Sequence, residues 1–255
     1  MTQDKRSINY KHLLYSAFGT SLAEIITLPI CTIKTNYQNN NSNSIIRTTK
    51  DIYNSGGYKA FWKASTPGII SQTISTSSKY FIYRNLEDKK IKYYPFPEVE
   101  MWNKFINGLC AGVVSTVFTH PVDHFKIHLQ MSQSVSTIVE NIKNSEEGGF
   151  KRLYRGYSKS ITKVLFSSGF FFPLFEFYKE KTNSAVISSA LSAFTSTIIM
   201  HPIDYLKTRH IYGQKLFQGL NPLIYYRGLG LNLLRIVPHF CIVMTTVDYL
   251  QNLHK

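Results

Sequence analysis

One short motif occurs three times, and nothing else in the chain constrains its fold as strongly. It reads Leu28-Pro29-Ile30-Cys31-Thr32-Ile33-Lys34, then His120-Pro121-Val122-Asp123-His124-Phe125-Lys126, then His201-Pro202-Ile203-Asp204-Tyr205-Leu206-Lys207. The shared pattern is Pro-x-Asp-x-x-Lys, with Cys31 in place of the first Asp. Gln38 and Gln130 lie nine residues after their prolines, and Ile211 holds that place in the third copy. Small residues four apart precede each motif: Ser16/Thr20, Gly108/Gly112 and Ser189/Ala193. Such spacing lets helix backbones approach closely within a membrane. Downstream of each motif comes an aromatic-cation-small triplet: Trp62-Lys63-Ala64, Tyr154-Arg155-Gly156 and Tyr226-Arg227-Gly228. The distance from proline to cation is 34 residues in the first two copies and 25 in the third, so the third loop is shortened. The 255 residues thus divide into three tandem repeats, 1–98, 99–183 and 184–255.

Each repeat carries two long segments whose only polar residues are Ser, Thr and isolated ions. Helices of that composition span a bilayer when their polar side faces a water-filled interior. The expected fold is all-α, with six transmembrane helices near 11–38, 66–88, 101–131, 156–181, 184–210 and 228–252. Each is about 35–45 Å long and kinked by a late proline in the odd-numbered ones. Ser44–Asn54 and Ser134–Ser145 read as amphipathic connectors lying on one membrane surface. The first ten residues lead straight into the first helix, so no cleaved leader is expected.

Charge qualifies this picture. Lys and Arg number 29 against 15 Asp and Glu, a formal net charge of +14, and the mean hydropathy is only −0.12. Those values alone suit a soluble nucleic-acid binder. The ordered alternation of apolar segments argues for a membrane protein instead, and no nucleic-acid partner is expected. Cys31, Cys110 and Cys241 are widely spaced, which excludes a disulfide framework or a zinc cluster. No nucleophile–base pair, metal-ligand cluster or phosphate-cradling glycine loop occurs. No enzymatic activity is expected of such a chain.

The triple motif, its triplets and the paired helices resemble the mitochondrial carrier family along essentially the whole chain. The resemblance implies a pseudo-three-fold bundle, a multi-pass location in the mitochondrial inner membrane and a monomer. It implies a matrix gate in which the Asp of one motif meets the Lys of the next repeat: Asp123 with Lys207, and Asp204 with Lys34. Lys126 lacks such a partner because Cys31 stands at the acid position, so a weakened gate is expected, with Gln38 and Gln130 as compensating braces. The opposite, cytoplasmic gate is implied at Phe175-Glu176-x-x-Lys179, at Tyr83-Arg84-x-x-Glu87 with its charges reversed, and at Val247-Asp248-x-x-Gln251 without its cation.

The same resemblance places substrate contacts at Ser71-Gln72, Lys163-Val164 and Arg235. Lys79 adds to the positive field. Ions at mid-membrane depth demand a partner, which an anionic substrate supplies. Glu24 is expected to neutralise Arg235 or Lys163 in the empty carrier, or else to meet a cationic part of the substrate or a proton. A phosphorylated anion, nucleotide or deoxynucleotide, is the first expectation. A di- or tricarboxylate carrier and a non-transporting membrane protein of this fold stay open. Phe171 and Phe175 read as packing or as a stack for a planar base, and His120 and His201 as packing or as pH-sensitive groups near the cavity floor. No cofactor is expected. The triplets, at Lys63, Arg155, Gly156, Arg227 and Gly228, are expected to hold a lipid phosphate, in the family that of cardiolipin.

Overall fold

A computed structural model describes residues 2–40, 44–91, 100–145, 148–183 and 185–253. Its helices are α1 (Thr2–Asn39), α2 (Ile45–Gly56), α3 (Ser65–Ile91), α4 (Glu100–Gln130), α5 (Val135–Lys143), α6 (Gly149–Leu153), α7 (Tyr157–Thr182), α8 (Ala185–Tyr212) and α9 (Leu229–Asn252). The six long helices fall where the repeats predict them, although α1 begins nine residues earlier than expected. Within a repeat, α1 touches α3, α4 touches α7 and α8 touches α9. Between repeats the packing is more extensive: α3 against α4, α7 against α8, and α9 back against α1, which closes the ring.

The bundle is inverted relative to a soluble protein. Leu14, Phe18, Ile26, Phe118, Phe166, Phe194 and Leu234 are exposed on its outside, whereas Glu24, Lys34, Gln38, Ser188 and Ser192 are buried. An apolar exterior around a polar interior suits a hydrocarbon surround. Leu13–Asn39 and Pro222–Asn252 are apolar enough to cross a membrane by composition alone. The other long helices carry more ions, of which Asp123, Lys126, Lys163, Asp204 and Lys207 meet in the interior.

Pro29, Pro121 and Pro202 lie inside α1, α4 and α8. Each proline lacks the N–H that would bond the carbonyl four residues back. In two repeats the triplet's aromatic residue takes that carbonyl. Trp62 Nε1 donates to the Ile25 carbonyl at 3.0 Å, and the Tyr154 hydroxyl donates to the Val117 carbonyl at 3.1 Å. The constant spacing from proline to aromatic therefore has a local physical cause.

The residue before the proline contributes as well. His120 and His201 donate from Nε2 to the carbonyls of Arg155 and Arg227, at 3.0 and 3.1 Å. Their rings stack on Tyr154 and Tyr226, so the packing role expected for both is the one observed. Gly156 and Gly228 cap α7 and α9 in the left-handed region, with φ of 81° and 86°, which a β-carbon would strain. Ile211 and Gln38 lie against these two glycines, which explains the constant offset of nine residues.

Ser44 and Ser134 cap the amphipathic connectors α2 and α5 by accepting from the Arg47 and Thr137 amides. The shortened third loop has no helix between Gly213 and Asn221. Of the paired small residues, Gly112 carries the closest packing. A β-carbon there would lie 2.8 Å from Val164 Cγ1 on α7. Gly112→Ala is expected to destabilise the detergent-purified protein by about 1–3 kcal/mol. Val164→Ala in the same chain should recover most of that loss in a thermal unfolding experiment, because it removes the clashing methyl.

Candidate functional site

A cavity of about 710 Å³ lies inside the bundle. It runs from Lys126 and Lys207, beside the prolines, to Lys79, two turns along α3 from Ser71. Ser71, Gln72, Lys79, Lys163, Val164 and Arg235, all singled out in the sequence, line it. So do hydroxyls that no motif marks: Ser75, Ser115, Thr116, Thr119, Ser160 and Ser167. Their positions on α3, α4 and α7 bring small polar groups to the interior without the bulk that would fill it.

Carboxylates close the floor. Lys207 Nζ lies 2.9 Å from Asp123 Oδ2, and Lys34 pairs with Asp204, both as expected from the repeat order. The third link corrects the sequence expectation. Lys126 is not left unpartnered by Cys31, because Glu24 Oε1 lies 2.6 Å from its ammonium. Glu24 also accepts from Arg235 Nη2 at 2.9 Å and from Gln72 Nε2 at 3.3 Å. The Glu24 side chain is wholly excluded from solvent, and these two cations compensate its charge. Of the two neutralising partners foreseen for Glu24, Arg235 is present. Lys163 instead binds Asp204, which it shares with Lys34.

Ser71 donates to Asp123 Oδ1 at 2.7 Å. Asn232 Oδ1 accepts from Lys34 at 3.1 Å, a further gate contact that the motifs do not mark. Arg235 Nη1 lies 3.8 Å from Cys31 Sγ. Lys79 reaches the cavity with no ion-pair partner among the described residues.

The glutamines do not brace the ion pairs. Gln38 Nε2 donates to the Arg227 carbonyl at 3.2 Å, and Gln130 Oε1 accepts from Thr35 Oγ1 at 2.8 Å. Both fasten one repeat to another below the gate. Ile211, at the third such place, cannot form a polar contact of this kind. Its carbonyl instead accepts from His128 Nε2 of the second repeat at 3.3 Å, and Arg209, two residues earlier, donates to the Gln38 carbonyl of the first repeat at 2.8 Å and to the Lys215 carbonyl of its own at 3.1 Å. A buried cation in the last turn of α8, next to an apolar residue in a glutamine position, is the sequence signal that points to it.

At the far end, the side chains of Arg84, Glu87, Glu176 and Asp248 lie outside the described residues. Lys179 is exposed, 5.7 Å from the centre of the Phe175 ring. Phe171, too, lies outside the described side chains. Two of the triplet cations are held by the protein: Lys63 donates to the Ser132 carbonyl at 2.8 Å, and Arg227 lies 4.3 Å from the Tyr37 ring centre. Arg155 packs beside Gly213. A groove of about 690 Å³ on the outer face joins Lys63, Thr66 and Pro67 at the start of α3 to Ser134 and Val135 at the start of α5.

Comparison with known proteins agrees with this architecture. The family model for mitochondrial carrier protein matches residues 5–94 and 97–185. A mitochondrial carrier-like protein of Acanthamoeba polyphaga mimivirus is 52% identical over 95% of this chain and 96% of its own length. More distant relatives include a mitochondrial adenyl nucleotide antiporter of Xenopus laevis, 26% identical over 75% of this chain and 43% of its own. A thylakoid ADP,ATP carrier protein of Arabidopsis thaliana is 22% identical over 93% of this chain and 64% of its own. A three-fold repeat of kinked helices, a polar cavity closed by cross-repeat ion pairs and these matches lead to one conclusion: the chain belongs to the mitochondrial carrier family of solute transporters.

Proposed function

We propose that the protein moves a phosphorylated anion, a nucleotide or deoxynucleotide, across the mitochondrial inner membrane by alternating access to the central cavity. The observation that carries this reading is charge. Lys79, Lys126, Lys163, Lys207 and Arg235 line the cavity against one lining carboxylate, Asp123. Among the described residues, two more, Glu24 and Asp204, reach these cations from behind. Unbalanced cations in a low-dielectric interior favour a polyanionic guest. The volume lies within the roughly 300–1,000 Å³ typical of small-ligand sites. The ring of serines and threonines offers hydrogen bonds to phosphate and sugar oxygens, and Val164 gives an apolar contact for a base. Two of the distant relatives carry adenine nucleotides by name, which supports the same class.

The protein works as a monomer in this reading and binds no nucleic acid. The start of α3, with its outer groove, takes a phospholipid headgroup such as that of cardiolipin, bound by backbone N–H groups and Lys63. Arg155-Gly156 and Arg227-Gly228 mark the corresponding helix starts on α7 and α9.

A thermal-shift series on detergent-purified protein tests the cargo. Nucleoside di- and triphosphates, ribo- and deoxyribo-, are expected to raise Tm with concentration, by an amount that follows ligand concentration over Kd. Di- and tricarboxylates should leave it unchanged. A rise with carboxylates alone would overturn the nucleotide reading. No rise with any anion, from folded protein, would favour a carrier fold that transports nothing.

A further inference from the structure

The contact residues and the gate share their carboxylates. Ser71 touches Asp123, Lys163 touches Asp204, and Arg235 touches Glu24. Each of these acids is also held by a gate lysine: Lys207, Lys34 and Lys126 respectively. The pattern has three-fold order, yet the third acid is not at the motif position. Glu24 precedes Cys31 by seven residues on α1. Seven residues bring a helix back to within about 20° of the same face. They also shift the side chain by about 10 Å along the axis. Lys126 spans part of that offset with its own stem. The cysteine leaves room beside Arg235, whose guanidinium turns back toward Glu24.

We infer that Glu24 is the third gate carboxylate, displaced two turns along α1 to a buried place behind the cavity wall, so that both cations of this link, Lys126 and Arg235, line the substrate site. An anion that takes Arg235 removes one of the two cations on Glu24. The Glu24–Lys126 pair must then hold alone, across the offset that the missing motif acid leaves. At Asp204 and Asp123 the gate lysines are placed by the motif register, and the substrate acts on them through Lys163 and Ser71. At Asp204 the gate lysine, Lys34, lies outside the cavity lining, whereas at Glu24 both cations, Lys126 and Arg235, line it.

Two measurements test this, and only the second rests on the proposed anionic cargo. In the first, the Tm of the empty, detergent-purified carrier is compared across Glu24→Gln, Lys126→Gln and the double variant. Each single variant is expected to lower Tm by about 5 °C or more, and the double variant should fall no further than the worse single one. Cys31→Asp, which restores an acid at the motif position, should recover the Tm of Glu24→Gln when Lys126 is present and fail to recover it in the Lys126→Gln background. Additive losses, or recovery that does not need Lys126, would reduce Glu24 to a counter-ion of Arg235 and overturn the inference.

In the second, proteoliposomes are loaded with radiolabelled ATP or, in parallel, malate, and efflux is followed without external counter-substrate. Glu24→Gln is expected to raise efflux of the transported anion at least tenfold, and Cys31→Asp to return it toward the original rate. Unchanged efflux despite a lower Tm would sink the gating role. Glu24→Asp, which keeps the charge and shortens the reach, gives an intermediate loss and serves if Glu24→Gln does not fold. Transport of malate in place of ATP would refute the nucleotide reading and leave the role of Glu24 standing.

Discussion

Asp204→Asn is expected to give a large loss of stability, because Asp204 neutralises Lys34 and Lys163 together. Lys34 and the Asp204 carboxylate are each only 9% exposed at the side chain, so neither is solvated when its partner is lost. Removing one member of such a buried pair costs about 3–5 kcal/mol. Lys163, at 38% exposed, faces the cavity water and adds less. Thermal unfolding of the purified protein should therefore show a clear drop for Asp204→Asn. Lys34→Gln in the same chain should recover part of it by removing the stranded charge. A change in Tm no larger than that from an exposed-residue control would mean that Asp204 does not carry the gate. Proteoliposomes containing the variant should also lose coupled exchange, since one link of the ring is then absent in the closed state.

What the sequence made legible was set by local register. A proline, an acid and a lysine at fixed offsets define a kink and one face of a helix, and three copies define a ring. That logic places Asp123 against Lys207 and Asp204 against Lys34, as observed. It fails for Lys126, because register alone assigns the acid to position 31 and does not consider an acid seven residues away on the same face. Glu24 was visible as a buried charge facing Arg235, but its reach to Lys126 depends on how α1 and α4 sit across the cavity. The glutamines misled for a related reason. Gln38 packs against the triplet glycine Gly228, and both glutamines fasten one repeat to another, with no ion-pair contact among the described residues. The triplet aromatics were recognised by spacing, but the proline-freed carbonyls of Ile25 and Val117 that fix that spacing are backbone atoms that no side-chain pattern records.

Substrate recognition yields the second large effect. Neutralising both Lys163 and Arg235, as Lys163→Gln/Arg235→Gln, is expected to lower kcat/KM for nucleotide exchange by at least about a hundredfold. Hydrogen bonds to charged groups contribute roughly 1.5–3 kcal/mol each, so two of them correspond to a factor of about 10² to 10⁴. The variant should still fold, since Glu24 keeps Lys126 and Asp204 keeps Lys34. Arg235→Lys separates charge from geometry. A lysine there retains the cation but not the paired donors of a guanidinium, and it should lose most of the affinity for the anion while keeping some transport. Exchange of dATP and of malate, measured side by side in proteoliposomes, reads both effects. Undiminished transport of every anion by the double variant would remove Lys163 and Arg235 from the substrate site. A loss confined to nucleotides would tie the phosphate to these two cations.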